Sequence, residues 1–342
     1  MSLHLIWLGS EPSAEKLSAV SRWQNKFGDN VKLWTEKDLP NLPDGPWRNP
    51  AFHPAQRADL LRVSLLSWFG GWYADIDCQP GTTQLPQPNH VLLAREDTRQ
   101  FINCLFYAPK EAQFLKYWVE ELELSLQENH RTSIAEATGP GALTRALHAY
   151  ALDFGAQHLQ TEIKYLAWKD FRHWPQSVTG PSNADRLPSA RFASHIAEAS
   201  WISDSENKAE SSRLALWVWK MRHGRFADVS EFVRIALKNH DLAQASIQSK
   251  ALRKALYHSS LDSINKGLIE AIEPIEVESV SDLKAIARRD SVAVIQTESS
   301  EVSKKLHLAG WEKLSSAPQL WFRPRPTSLM NEYNSMTNDS EG

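Results

Sequence analysis

Apolar and polar positions alternate along the chain in a way that predicts short strands separated by helices. Leu3 to Trp7 reads as a strand, Ala14 to Lys26 as a helix and Val31 to Trp34 as a second strand. Residues 35–54 are rich in Pro, Asn and Gly and read as a long loop. Ala55 to Phe69 then carries Ala58, Leu61, Leu65 and Trp68 at helical spacing, and Gly70-Gly71 supplies the permissive backbone that ends such a helix. Trp72 to Ile76 reads as a short buried strand. Val91–Arg95 and Phe101–Tyr107 follow as strands, Glu111–Gln127 as an amphipathic helix, and Thr138-Gly139-Pro140-Gly141 as the start of a helix through Tyr150. Arg191 to Ile196 is a late strand. The alternation predicts a Rossmann-like α/β half, in which ligands gather beyond the C-terminal ends of the strands.

The remainder reads differently. A Trp-rich helix over Arg213–Arg222 is followed by helical segments near Glu231–Leu237, Leu242–Tyr257 and Leu261–Ile272. Asp282–Ala287, Val292–Gln296, Glu301–Leu308 and Leu320–Arg323 then predict helix, strand, helix, strand. The expected organisation is an α/β domain over 1–205, a smaller helix-rich α/β unit over 206–326, and a polar tail, 327–342, expected to be disordered.

Composition changes this picture little. At 42% hydrophobic and 23% charged residues the chain is ordinary for a globular protein, and 342 residues suffice for two domains. No apolar run approaches the roughly 20 residues needed to span a bilayer. The first segment, MSLHLIWLGSEPSAEK, lacks the basic start and long apolar run of a secretory leader. Two cysteines, Cys78 and Cys104, cannot by themselves make a disulfide scaffold or a cysteine zinc site, so a cytoplasmic location is expected, with peripheral membrane association left open. Residues 1–212 carry more acids than bases and residues 213–330 the reverse. A basic second unit suits an anionic acceptor, but an ordinary solvated face is the simpler account of so modest an excess.

The candidate chemistry is concentrated in QRADLLRVSLLSWFGGWYADID, residues 56–77. Asp75 and Asp77 flank Ile76 at the end of the predicted strand, where residues two apart point the same way. Two carboxylates side by side repel, which makes most sense if a hard cation, Mn²⁺ or Mg²⁺, neutralises them and is held against a diphosphate. The bland alternative is a solvated turn before Pro80-Gly81. It loses ground because Asp59 and Arg62 lie three apart on one face of the preceding helix, while Gly-Gly sets how that helix returns to the strand. Thr138-Gly139-Pro140-Gly141 opens a helix whose N-terminal amides could face an anion or sugar hydroxyls, although a helix start with Gly and Pro is common and an ordinary start is at least as good an account.

The pattern of Arg57, Asp59, Arg62, Gly70, Gly71, Tyr73, Asp75 and Asp77 resembles the sugar-binding region containing the DXD motif. That region is shared by yeast initiating mannosyltransferases, bacterial capsular-sugar transferases and large glucosylating toxins. The resemblance covers roughly residues 1–205, with further landmarks in order: Ile6-Trp7-Leu8-Gly9, Leu33-Trp34, Asn103 before Ala108-Pro109, Thr138-Gly139-Pro140, and His195 followed by Ser200-Trp201. It implies a GT-A-like fold and a hexosyltransferase using a nucleoside-diphosphate sugar, a UDP-sugar rather than a GDP-sugar, with Mn²⁺ or Mg²⁺.

By the same resemblance Asp77 is a direct metal ligand, Asp75 shares the metal or a ribose hydroxyl, and His195 completes the metal shell, unless it is a satisfied structural histidine. Asp59 and Arg62 hold the donor sugar. Trp7 stacks on the base, unless it is an ordinary core tryptophan, and Leu8, Gly9 and Tyr73 belong to the same donor side. Ser200 and Trp201 cover the diphosphate, and the anomeric configuration is retained. The acceptor, whether glycan, protein, lipid-linked sugar or nucleic acid, is not indicated. Two rivals are a nucleotidyltransferase on the same architecture and a catalytically weak sugar-nucleotide-binding module. Against the first, the IWLGSEPS start lacks a Gly-rich basic phosphate loop. Against the second, the four residues Asp59, Arg62, Asp75 and Asp77 are intact.

Overall fold

A computed structural model of the chain describes residues 1–95, 101–127, 134–174, 190–196, 275–287, 294–314, 317–324 and 326–333. The first stretch runs β1 (Leu3–Ile6), α1 (Ala14–Phe27), β2 (Val31–Trp34), α2 (Pro54–Phe69), β3 (Gly71–Ala74), β4 (Cys78–Pro80), β5 (Val91–Arg95) and β6 (Phe101–Ala108). It continues with α3 (Gln113–Gln127), α4 (Ile134–Ala137), α5 (Pro140–Phe154), α6 (Ala156–Glu162), β7 (Ile163–Tyr165), β8 (Phe171–Trp174) and β9 (Ala193–Ile196). The later elements are β10 (Ile275–Glu276), α7 (Val280–Ala287), β11 (Val294–Gln296), α8 (Ser300–Leu308), β12 (Glu312–Leu314), β13 (Ala317–Phe322) and β14 (Asn331–Glu332). The fold is mixed α/β, and no helix among the described residues is long and apolar enough to cross a membrane.

The chain divides into two compact units. One comprises Met1–Leu143, Gln160–Trp201 and Met330–Gly342, the other Thr144–Leu159 and Ile202–Leu329. This division is interleaved along the chain, whereas the sequence suggested one cut after residue 205. The first unit holds a seven-stranded sheet in the order β14-β7-β5-β6-β3-β1-β2, in which β6 runs against both neighbours and the other strands are parallel. From β1 the chain passes to β2 on one side and then, through α2, to β3 on the other. The gap between β1 and β3 is therefore a topological switch point, where an α/β sheet opens a crevice at the strand C-termini.

Local chemistry sets the helices that border this crevice. The Ser13 hydroxyl accepts from the Lys16 amide at 3.3 Å and caps α1. Ala19, Val20 and Trp23 are buried, and the Trp23 indole donates to the Cys78 carbonyl at 2.9 Å, tying α1 to β4. At the start of α2, His53 Nδ1 accepts from the Ala55 amide and Gln56 Oε1 from the His53 amide, both at 3.2 Å, with Pro54 in the first turn. Arg57 and every residue from Asp59 to Leu66 are buried, so α2 is enclosed on nearly all sides rather than along the single stripe its spacing suggested. Its exit requires glycine twice. Gly70 and Gly71 have φ of +66° and +103°, and a Cβ on them would lie 2.7 Å from the Lys110 amide nitrogen and 2.4 Å from the Ser2 carbonyl oxygen.

A second sheet in this unit, of three strands in the order β4-β9-β8, packs its own register beside the first: Cys78 opposes His195, and His195 opposes His173. The predicted strand Trp72–Ile76 ends early, at Ala74. Asp75 begins a turn closed by the Cys78 amide donating to the Asp75 carbonyl at 2.9 Å, so Asp75 and Asp77 do not share a strand face. The expected disorder from residue 327 does not hold for Thr327–Tyr333. Asn331 and Glu332 pair in parallel with Lys164 and Tyr165, and Tyr333 is 4% exposed within the core.

In the second unit, β10-β11-β13-β12 form a four-stranded sheet with Leu283, Ile295, Val302, Leu306 and Trp321 buried. The strand β11 and helices α7 and α8 fall where periodicity expected them. The helices expected between residues 213 and 272 lie outside the described residues.

Candidate functional site

The site is built at the turn that follows β3. α2 carries Asp59 and Arg62 one turn apart, and both are buried. Arg62 donates to the Asn103 carbonyl at 2.7 Å and pairs with Asp59 at 3.1 Å and with Asp75 at 3.2 Å. Its guanidinium carbon stands 4.5 Å from the centre of the Tyr73 ring. The Tyr73 hydroxyl in turn donates to the Asp75 Oδ1 at 2.5 Å. Asp59 accepts from the Asn103 side-chain amide at 2.8 Å and from the Thr138 hydroxyl at 2.7 Å. Three protein donors thus hold Asp59, two of them from residues more than forty positions away.

The other half of the site comes from the three-stranded sheet. His195 Nε2 lies 3.1 Å from Asp77 Oδ1, and His195 Nδ1 lies 2.9 Å from Nδ1 of its cross-strand neighbour His173. Of two ring nitrogens at that distance one donates and the other accepts. An imidazolium at His195 makes His195 the donor. Ligand atoms of Asp75, Asp77 and His195 all fall within 4.8 Å of one another, so two carboxylates and one imidazole meet at the C-terminal end of β3.

Burial governs the electrostatics here. It raises the Asp75 carboxyl, with Asp77 adding to the effect and Arg62 opposing it, to about 6. Asp59 is likewise pushed up by burial, against the pull of Arg62 and its two hydrogen bonds. The Tyr73 phenol is raised well above its ordinary range by burial. At His195 burial works against the charged form, but the neighbouring Asp77 carboxylate outweighs it and raises the imidazole to about 10.

The remaining expected donor-side residues are placed variously. Trp7 is partly buried against the core, its amide donating to the Trp34 carbonyl at 2.9 Å, and Leu8 is buried. The Gly9 amide donates to Glu36 Oε1 at 2.9 Å. Glu36 also receives both terminal nitrogens of Arg57, at 2.7 and 2.8 Å, and that bond holds its carboxyl below the usual range. Gly9, Glu36, Arg57 and Phe52 line a cleft of about 620 Å³. Before α5, the amides of Thr138 and Gly139 both donate to the Ile134 carbonyl at 2.9 Å, and the Thr138 hydroxyl goes to Asp59. Ser200 and Trp201 lie outside the described residues.

Sequence reasoning passed over His173 and Glu36 entirely. Neither carries a motif of its own, and each is tied to the site through a partner at least twenty positions distant.

The fold and site define a mixed α/β protein with a carboxylate–imidazole cluster at the C-terminal end of an interior strand of a mostly parallel sheet. Neither the family models nor the curated protein sequences yield a match to the chain. Among solved structures, one titled PaToxG Glycosyltransferase aligns with 44% of this chain and 70% of its own, at 20% identity and a TM-score of 0.35. A likeness that distant carries no argument for the fold or for the roles of the residues.

Proposed function

We propose that the chain is a glycosyltransferase of GT-A-like architecture that moves a hexose from a nucleoside-diphosphate sugar to an acceptor, with Mn²⁺ or Mg²⁺ at Asp75, Asp77 and His195. The observation that carries this reading is the meeting of those three side chains within 4.8 Å beyond the C-terminal end of β3, beside the switch point. The donor set fits a hard or borderline cation: two carboxylate oxygens and one imidazole, with Asp75 and Asp77 both partly open to solvent. Held by these three residues, such a cation would offset the charge of a diphosphate and the charge that develops on the leaving nucleoside diphosphate.

The protein's own residues do the rest. Arg62 and Tyr73 hold Asp75 in one orientation, and His195 does the same for Asp77. Asp59 is a positioning residue in this reading: held by Asn103 and Thr138, it fixes the guanidinium that fixes Asp75. This departs from the expectation that Asp59 and Arg62 hold the donor sugar. The Glu36–Arg57 pair holds the loop after β2 against α2 and frames the cleft that suits the nucleoside, a UDP-sugar being the favoured donor. Retention of the anomeric configuration belongs to the same proposal and rests on the resemblance alone.

Incubation with a panel of UDP- and GDP-sugars in Mn²⁺ tests the reading. Slow release of nucleoside diphosphate from one donor, abolished by chelator, is the expected result. No release from any donor, or release of pyrophosphate from a sugar phosphate and nucleoside triphosphate, contradicts it.

A further inference from the structure

The chain has only two cysteines, and the fold brings both to the same histidine. Cys78 is the first residue of β4 and stands directly opposite His195 of β9 in the antiparallel register. Cys104 comes from the middle of β6 in the main sheet, and the Cys78 thiol lies 3.5 Å from its carbonyl oxygen. Both thiols are buried, at 0% and 3% exposure. The two Sγ atoms and a ring nitrogen of His195 all lie within 4.8 Å of one another. A pair of small buried residues filling a gap needs no imidazole beside it. Two sulfurs and one nitrogen are also the donor types that select soft and borderline ions over Mn²⁺ or Mg²⁺.

We propose that Cys78, Cys104 and His195 form a second metal site, for a thiophilic divalent ion of the zinc class, that shares its histidine with the carboxylate site. A spacing of at most 4.8 Å can accommodate the edges of a tetrahedron drawn by Zn–S of about 2.3 Å and Zn–N of about 2.0 Å. Both thiols lose their protons to the solvent as the ion enters, and the ion takes the two thiolates and the imidazole, with a fourth position left for water or Asp77. Since one imidazole serves both donor sets, an ion on the sulfurs draws His195 away from Asp77. The consequence for activity rests on the proposed function; the site itself does not. If both hold, a zinc-class ion suppresses Mn²⁺-dependent turnover, and the suppression disappears when the cysteines are replaced.

Titration of the full chain with Co²⁺ under a phosphine reductant tests the site without reference to any sugar. The parent should develop an intense sulfur-to-cobalt charge-transfer band at one equivalent, displaced by Zn²⁺. Cys78→Ala and Cys104→Ala should each lose most of that band and weaken binding by about 10-fold or more, whereas Asp75→Asn/Asp77→Asn should keep it. Circular dichroism confirms that each variant is folded. Absence of the band in the parent overturns the site whatever the variants do. A Co²⁺ spectrum that survives both cysteine changes and is lost with the two aspartates does the same. Failure of diphosphate release with a normal cobalt spectrum overturns only the enzymatic reading.

Discussion

Asp75 and Asp77 are two residues apart and belong to different worlds. Asp75 is held from the main sheet and α2, by an arginine and a phenol that are themselves buried and tied to Asp59, Asn103 and Thr138. Asp77 is held from the three-stranded sheet by His195, whose other nitrogen faces a second histidine. The first half is a closed network in which each charge has a fixed protein partner. The second half is a more labile pair, because an imidazole gives up its proton to a metal where a guanidinium cannot. The division of labour follows: the arginine side sets the geometry, and the histidine side is where a ligand exchanges. A turn at Ile76, rather than a continued strand, lets one short segment face both supports.

The largest effect should come from breaking the closed half. Arg62→Ala leaves the buried Asp59 and the partly buried Asp75 without their cation, and should cost about 3–5 kcal/mol of stability in denaturant unfolding. A loss below about 1 kcal/mol would mean that the network is not closed as described. Asp77→Asn should invert the pattern. Donor hydrolysis falls by about 100-fold or more while stability falls less than in Arg62→Ala, since the buried His195 left without its carboxylate can release its proton where a guanidinium cannot. Thr138→Val probes the closed half more gently. It removes one hydroxyl donor from Asp59 at nearly constant volume and should cost about 1–3 kcal/mol, with activity following only as far as Arg62 shifts.

The smallest effect lies outside the site, at His4 in β1. The Trp34 indole donates to its Nδ1 at 3.0 Å and its Nε2 stands 3.1 Å from the Gly70 carbonyl, so the ring is the neutral tautomer protonated on Nε2. Burial holds its pKa below the ordinary 6.5. The unfolded chain therefore binds a proton first, and the contribution of His4 is fully present above pH 6.5 and lost as pH falls through the folded value. His4→Gln should flatten that part of the stability profile; an unchanged slope would place the titration elsewhere.

Much of the first sheet was legible because its signals are local. The strands β1, β2, β5 and β6 and the helices α1, α2 and α3 each have enough residues to show a period, and Gly70-Gly71 marks a helix end that no other residue pair fits. What escaped was set by distant pairing. β4, β7 and β14 have two or three residues, too few for any periodicity, and exist because a neighbour offers a free edge. That edge is also what orders Asn331–Tyr333 in a tail whose composition argues for disorder. Asp59 and Arg62 stood out in sequence as a pair on one helix face, but their partners Asn103 and Thr138 are long-range, and so the closed character of the network was invisible. His195 entered through resemblance alone. Nothing in its local sequence places it opposite Cys78 and beside His173.

The histidine side is where a cation is expected to bind. Electron paramagnetic resonance of free Mn²⁺ in the presence of the chain measures this directly. One tightly bound ion per chain is expected, lost in Asp77→Asn and in His195→Ala and retained in Thr138→Val. Mn²⁺ that remains free with the parent chain and a nucleoside diphosphate both present, or that binds equally well to the Asp77 variant, would contradict it.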